Sequence, residues 1–279
     1  MESSRLLTSR KSPLKWAGGK KRIVEKIKAN LPSSGKKRLI EPFVGGGSVF
    51  LNLDFEEYLL IDTNKDLINL FNIIKNDSER FIKEAEGFFI GNYNESCHYY
   101  DIRYQFNESN DPYEKSLFFV YLNRHGYNGL CRYNQKGSFN VPFGRYKHPY
   151  FPKNEFLEFA KVAQKATFFC GDFTQAFDKA NENDVVYCDP PYSPINLTSN
   201  FTAYAGKSFT DDDQRRLVVC AEAVKCQRIS TLISNRYTDF TKVLYKNADK
   251  VSLLSVQRNI SCKGSVRGKS KEVMALYSG

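Results

Sequence analysis

Long apolar stretches are missing from this 279-residue chain. No run approaches the roughly 18–20 residues that a helical membrane span needs, which excludes a membrane-spanning helix. The first residues, Met1-Glu2-Ser3-Ser4-Arg5, carry no apolar stretch of signal-peptide length, so the expectation is a protein that is not secreted. Histidine is scarce, at His98, His125 and His148 only. Cys97, Cys131, Cys170, Cys188, Cys220, Cys226 and Cys262 form no C-x-x-C pair and do not interleave with the histidines at finger spacing, which argues against structural zinc. Odd in number and scattered, they make no disulfide framework either, and free thiols point to a reducing compartment, the cytosol. Internal repeats and low-complexity segments are absent as well. With 41% hydrophobic and 26% charged residues, disorder, a collagen-like chain and a coiled-coil rod are excluded as the main state.

Acid is missing from particular segments, and this says more than the net charge of +10. From Arg5 to Arg38 there are twelve Lys/Arg against Glu25 alone, whereas residues 52–119 carry fourteen acids and six bases. Residues 123–153 hold six Lys/Arg and no acid, interleaved with Tyr127, Tyr133, Phe139, Phe143, Tyr146, Tyr150 and Phe151. Residues 257–271 add five bases, again without acid. Basic segments studded with aromatic rings suit a polyanion that has stackable bases, although solvated faces are the ordinary fate of a charge run.

Short apolar runs alternate with helical patterns. Leu39–Val44, Tyr58–Asp62, Thr167–Cys170, Asp184–Cys188 and Ser230–Ser234 read as strands, and Val49–Leu53 can start a helix. Glu155–Ala166 has helical spacing, and Thr210 is a plausible N-cap for a helix opened by Asp211, Asp212 and Asp213, a better reading of that triplet than a metal site. Val251–Gln257 and Glu272–Tyr277 flank a basic, glycine-bearing loop as an antiparallel pair would. The expectation is therefore an α/β fold, a doubly wound and mostly parallel sheet with a C-terminal antiparallel strand pair. Residues 64–152 break the rhythm as an insertion, helical over 65–90, 98–107 and 113–124 and then extended, with a hairpin at about 126–147 whose tip is suited by the Asn128-Gly129 step and flanking aromatics of Tyr127–Asn134.

Three motifs bear chemistry. Glu41-Pro42-Phe43-Val44-Gly45-Gly46-Gly47 takes a strand into consecutive glycines, where a backbone can turn at positive φ and a ligand can come close. Phe50 spoils the G-x-G-x-x-G template, and no Gly-Lys-Ser/Thr follows, so neither a dinucleotide nor a phosphate loop fits. Asp62, ending the next strand, is placed to accept from ribose hydroxyls, or else serves as a turn former. Val186-Tyr187-Cys188-Asp189-Pro190-Pro191-Tyr192 lies where a strand ends, the edge at which α/β sheets place ligands. Its prolines remove N–H donors and leave carbonyls to accept. A carboxylate beside such a carbonyl matches the two hydrogens of an exocyclic amino group, with Tyr192 offering a ring face; a rigid capped turn is the bland alternative. Leu14-Lys15-Trp16-Ala17-Gly18-Gly19-Lys20 sets the chain's single Trp between two lysines, able to pack on a cationic or aromatic ligand or to serve as a core residue.

Taken together, LKWAGGK, EPFVGGGS, YNGLCRYN, FNVPFGRY and VYCDPPY resemble the Dam-type DNA adenine-N6 methyltransferases, in that order and over about residues 14–277. The basic stretch Met1–Ser12 lies outside the pattern, and Gly171-Asp172-Phe173 is left without a role. The resemblance implies a catalytic domain of residues 1–63 and 153–279 that binds S-adenosylmethionine, with 64–152 as a DNA-recognition insertion. It implies that Trp16, Lys20, Phe43, Gly45, Gly46, Gly47 and Asp62 hold the donor, with Asp189 beside it. Asp189, Pro190 and Tyr192 then hold a flipped adenine. Lys15, Asn128, Leu130, Arg132 and Pro142 read bases, Tyr127 enters the stack, and Arg145 meets phosphate. The implied activity is methylation of adenine N6 in duplex DNA, with GATC as the family's usual target and no metal. The implied setting is a cytoplasmic, DNA-associated protein with no membrane and no obligate protein partner. Cytosine-N4, RNA and protein-amide methylation, and a DNA-binding homologue without catalysis, stand as the alternatives.

Overall fold

Seven strands form one sheet in the order β3-β2-β1-β4-β5-β7-β6: β1 (Arg38–Glu41), β2 (Glu57–Asp62), β3 (Ala166–Cys170), β4 (Asp184–Cys188), β5 (Ser230–Arg236), β6 (Lys250–Gln257) and β7 (Lys269–Tyr277). The computed structural model describes residues 9–192, 209–257 and 269–279. Most of the basic segments at Met1–Ser12 and 257–271 lie outside those residues, as does Cys262. β1 pairs in parallel with β2 and β4, and β4 with β5, while β7 runs antiparallel to both β5 and β6. The expected α/β sheet with its C-terminal antiparallel pair is therefore the fold. β4 is buried at every position, as an apolar strand covered on both faces must be.

Nine helices are described: α1 (Val24–Asn30), α2 (Lys65–Asn76), α3 (Ser78–Gly87), α4 (Ser96–Glu108), α5 (Pro112–His125), α6 (Lys153–Ala163), α7 (Thr174–Asp178), α8 (Asp211–Lys225) and α9 (Asp239–Leu244). The helix read over 65–90 is two helices, because Asp77 (φ −148°, ψ 62°) leaves the helical region within Asn76-Asp77-Ser78, residues whose side chains compete for the backbone. At 49–53 only a single 3₁₀ turn forms, Phe50–Asn52. Thr210 caps α8 as expected, in a reciprocal box with Asp213, and Asp212 and Asp213 pair with Arg215 and Arg216 one turn on.

The chain packs as two compact units. One contains the described residues up to Glu25, Val44–Asp54 and Asn64–Phe168; the other contains Lys26–Phe43, Phe55–Thr63 and the described residues from Phe169 onward. The stretch 64–152 thus folds together with 44–54, 153–168 and the N-terminal residues. Phe71 centres the first unit's core, its ring 4.6 Å from that of Phe159 and 5.3 Å from that of Phe168. In the second, Ile40, Ile61, Val186 and Ile233 of the sheet pack with Leu217 and Ala221 of α8. Arg38 ties the starts of β1 and β4, donating from Nε (2.9 Å) and Nη2 (2.6 Å) to the buried carboxylate of Asp184.

The segment 126–147 contains no strand. Two isolated bridges, Gly126–Phe143 and Tyr133–Phe139, hold it as an irregular hairpin. Asn128-Gly129 does not form the tip: at φ +54° and +61° it makes a 3₁₀ turn directly after α5. The turn opposite is built by Asn134, whose Oδ1 accepts from the backbone N–H groups of Lys136 and Ser138 at 2.9 and 3.0 Å.

Candidate functional site

In the parallel register Cys188 of β4 faces Ile233 of β5, so the next residues, Asp189 and Ser234, come side by side. Side chains alternate along a strand, which puts Tyr187, Asp189 and Ser234 on one face. Ser234 Oγ donates to Asp189 Oδ1 at 3.2 Å and lies 2.8 Å from the Tyr187 hydroxyl. Burial, reinforced by the Asp189 charge, pushes the Tyr187 phenol well above its usual range, so it keeps its proton. On the opposite face Asn235 Nδ2 donates to Gln214 Oε1 (3.0 Å) and to the Tyr245 hydroxyl (2.9 Å), and Gln214 Nε2 donates to the Pro191 carbonyl (2.9 Å). Carboxylate and proline turn are thus each held from β5. Pro190 is buried, Asp189 and Tyr192 are half-buried, and the Arg236 guanidinium stands 5.8 Å from the Tyr192 ring centre. Ser234, Asn235 and Gln214 were missed in the sequence; the only signal was a Ser-Asn pair ending an apolar strand.

Other expected donor residues of the same unit lie at strand ends. Asp62 is the last residue of β2, half-buried, and its carbonyl accepts from the Gly171 N–H at 3.1 Å. Phe43, just past β1, stacks on Phe173 (5.5 Å) and meets Phe209 edge-on (5.5 Å), which gives the unassigned Phe173 a packing role. In the other unit, Gly45 (φ +46°) and Gly47 (φ +75°) take the turn that only glycine adopts readily. A Cβ on Gly45 would stand 2.7 Å from Trp16 Nε1, and one on Gly46 2.7 Å from Trp16 Cβ. The close approach that these glycines permit is that of this chain's own indole. Lys20 is buried, its N–H donating to Ser48 Oγ (3.0 Å) at the end of the glycine run.

The expected base-contacting residues share that second environment. Asn123 of α5 clasps Lys15, accepting from its N–H (2.9 Å) and donating to its carbonyl (2.7 Å). Lys15 Nζ stands 4.1 Å above the Tyr146 ring, and burial, then the nearby Arg124 charge, lowers its pKa. The Tyr146 hydroxyl accepts from the Asn128 N–H at 2.9 Å, and the Tyr127 N–H donates to the Pro142 carbonyl at 2.8 Å. Lys15, Tyr127, Asn128 and Pro142 therefore belong to one cluster. Tyr127, Pro142 and Arg145 are exposed, and Leu130 is half-buried. Arg132 stands apart, donating from Nε to Asn140 Oδ1 (2.8 Å) and from Nη2 to the Asn140 carbonyl (3.1 Å). Asn123 and Asn140 are further residues not singled out beforehand: Asn123 falls in the stretch expected to be helical and Asn140 in the extended one, and neither has a local signal of its partner.

A family model described as D12 class N6 adenine-specific DNA methyltransferase matches residues 16–261. A DNA adenine methylase of Vibrio cholerae is 51% identical over 266 residues, 95% of each chain. That of Escherichia coli K12 is 48% identical over 95% of this chain and 94% of its own, and that of Haemophilus influenzae 49% over 95% and 92%. Of solved structures, an rRNA methyltransferase of Streptomyces viridochromogenes aligns over 91% of this chain and 82% of its own, at 12% identity and a TM-score of 0.37.

Proposed function

The chain belongs to the D12 class of N6 adenine-specific DNA methyltransferases, and from that premise we propose that it carries the methyl group of S-adenosylmethionine to adenine N6 in duplex DNA, at GATC, after turning the base out of the stack. The observation that carries this reading is the carboxylate of Asp189, held by a hydroxyl donor in a Pro-Pro turn at the carboxyl end of β4. The adenine amino lone pair is delocalised into the ring and is a poor nucleophile. Hydrogen bonds from N6 to the Asp189 carboxylate and the Pro190 carbonyl localise that pair and aim it at the sulfonium methyl, with Tyr192 stacked on the base. With the donor bound, the N–C bond would form as the S–C bond breaks and the electron pair goes to sulfur, leaving S-adenosylhomocysteine, while the N6 proton would pass to the Asp189 carboxylate, during or after the transfer. Extruding the base costs a few kcal/mol of unstacking. The transfer needs no metal, because the methyl is already activated by its positive sulfur.

On this reading, Asp62, which offers acceptors to ribose hydroxyls, and Phe43 are the donor-binding residues of one unit, and the half-buried Trp16 belongs to the other. Gly45, Gly46 and Gly47 form the turn after β1, and Lys20 lies next to that run. Lys15, Asn128, Leu130, Arg132 and Pro142 read base edges, Tyr127 fills the stack, and Arg145 contacts phosphate. In this division residues 1–63 and 153–279 bind donor and base, and 64–152 recognises DNA. The setting is the cytoplasm, on DNA, with no membrane or obligate protein partner.

Radiolabelled donor with methylated and unmethylated GATC duplexes, followed by nucleoside mapping, tests the proposal. Label should enter adenine N6 of unmethylated sites only. Asp189→Ala should lower transfer by about 10²–10³ or more, since a positioned group facing developing charge is lost, while donor affinity stays within a few fold. Label on cytosine or RNA, or near-normal turnover by Asp189→Ala, would falsify it.

A further inference from the structure

We propose that Ser234 and Tyr187 form a directional hydrogen-bond relay that aims the Asp189 carboxylate, making Ser234 a positioning residue for methyl transfer; the inference rests on the reading of Asp189 given above. The direction follows from the chemistry of the three groups. Asp189 can only accept when ionised. The Tyr187 hydroxyl is fully enclosed, keeps its proton, and has the Ser234 oxygen 2.8 Å away. A buried hydroxyl left without an acceptor is costly, so the phenol donates to Ser234. The Ser234 oxygen, holding that proton on one lone pair, turns its own hydrogen to Asp189 Oδ1, 3.2 Å away.

This arrangement is rigid by construction. Tyr187 and Ser234 are both buried in adjacent strands whose pairing, Tyr187 with Leu232 and Cys188 with Ile233, fixes their offset. The Ser234 side chain has one small rotor, and the phenol below it selects the rotamer that faces Asp189. Asp189 itself follows the last residue of β4, where the strand no longer fixes its side chain. A carboxylate held at Oδ1 has its plane set, and with it the direction of Oδ2. Transfer in line with the sulfonium methyl depends on that direction, because small misplacements of a reacting group cost rate rather than affinity. Asn235, on the other face, anchors the Pro191 carbonyl through Gln214 and acts on the backbone of the turn instead.

The test compares Ser234→Ala and Tyr187→Phe with Asp189→Ala in the full-length protein, measuring kcat, KM for a GATC duplex, and equilibrium binding of S-adenosylmethionine and duplex. Ser234→Ala should lower kcat about tenfold to a hundredfold, the effect of losing a hydrogen bond to a charged group, with KM and both affinities within twofold of wild type. Tyr187→Phe, which leaves the serine its hydrogen but frees its rotor, should lower kcat by a smaller factor in the same manner. A Ser234→Ala enzyme with kcat within twofold of wild type overturns the proposal. So does a loss of donor or duplex binding that parallels the loss of rate, since a merely structural role would lower both; Tyr187→Phe then decides the matter if Ser234→Ala does not fold. If Asp189→Ala is inactive and Ser234→Ala normal, the relay alone fails; if Asp189→Ala is active, the reading of Asp189 fails with it.

Discussion

A guanidinium has five N–H donors, and what distinguishes Arg132 from Arg145 is how many are already used. Arg132 gives Nε and one Nη2 hydrogen to Asn140, which fixes one edge of the guanidinium and leaves the Nη1/Nη2 edge outside that contact. Such a pre-set edge can donate twice to guanine O6 and N7, worth roughly 1–3 kcal/mol of discrimination against another base. Arg145 is exposed, in a positive-φ turn, with no ion pair among the described residues. Arg132→Ala should therefore methylate duplexes altered at one guanine of GATC almost as well as the intact site, with unchanged salt dependence. Arg145→Ala should weaken all duplexes alike and flatten the salt slope by about one phosphate. Methylation rates on single-base-pair variants of GATC distinguish the two; a uniform slowing by Arg132→Ala would make it a backbone contact.

Among elements, α5 connects the core of its unit to the Lys15 cluster. Asp111 caps it, accepting from Tyr113 and Glu114 N–H groups, with Pro112 at its first position, and from Phe118 to His125 every residue is buried. Its last turn presents Asn123 to Lys15, and ends on His125, stacked 3.9 Å from Tyr121 with Nδ1 donating to the Tyr121 carbonyl at 3.0 Å. Burial first, and then the Lys15 charge, lower the His125 pKa from 6.5 to about 4, against the favourable backbone hydrogen bond. The unfolded chain therefore binds the proton more readily, so this contribution is full above pH 6.5 and is lost as pH falls from 6.5 towards 4, at most about 3 kcal/mol. Urea unfolding of wild type and His125→Gln across pH 4–7 should give a stability difference that moves against the wild type on acidification; a flat difference would mean that the histidine titrates normally. The strands and the capped helices were legible in the sequence because apolar runs, Thr210 and its acids are local signals. The hairpin tip was misplaced because Asn128-Gly129 carries the right dihedrals for a tip yet is used to leave α5, with Gly129 pressed against Lys15. Ser234 was illegible because its role exists only once β4 and β5 are in register.

For the molecule as a whole, a net charge of +10 predicts salt-dependent association with DNA, and the structure sorts which bases of residues 123–153 are already engaged within the protein. Of the six Lys/Arg in 123–153, Arg124 is buried and donates from Nη2 to the Pro13 carbonyl, and Lys153 is paired with Glu86 at 2.9 Å. Arg132 is engaged by Asn140. Lys136, Arg145 and Lys147 are exposed and without an ion pair among the described residues, so these are the side chains on that segment able to release counterions from a duplex. Each phosphate neutralised steepens the log–log salt dependence by about 0.9. Replacing Lys136, Arg145 and Lys147 together by Ala should therefore flatten the slope by about 2.7, with any remaining slope carried by bases elsewhere in the chain. Lys153→Ala should leave the slope almost untouched, because its charge is already partnered and its loss frees only Glu86. Duplex binding by anisotropy between low and physiological salt supplies the numbers. Equal flattening by Lys153→Ala and by each exposed base would mean that the segment acts as a diffuse positive field, and that ion pairing at the protein surface does not decide which charges reach the phosphates.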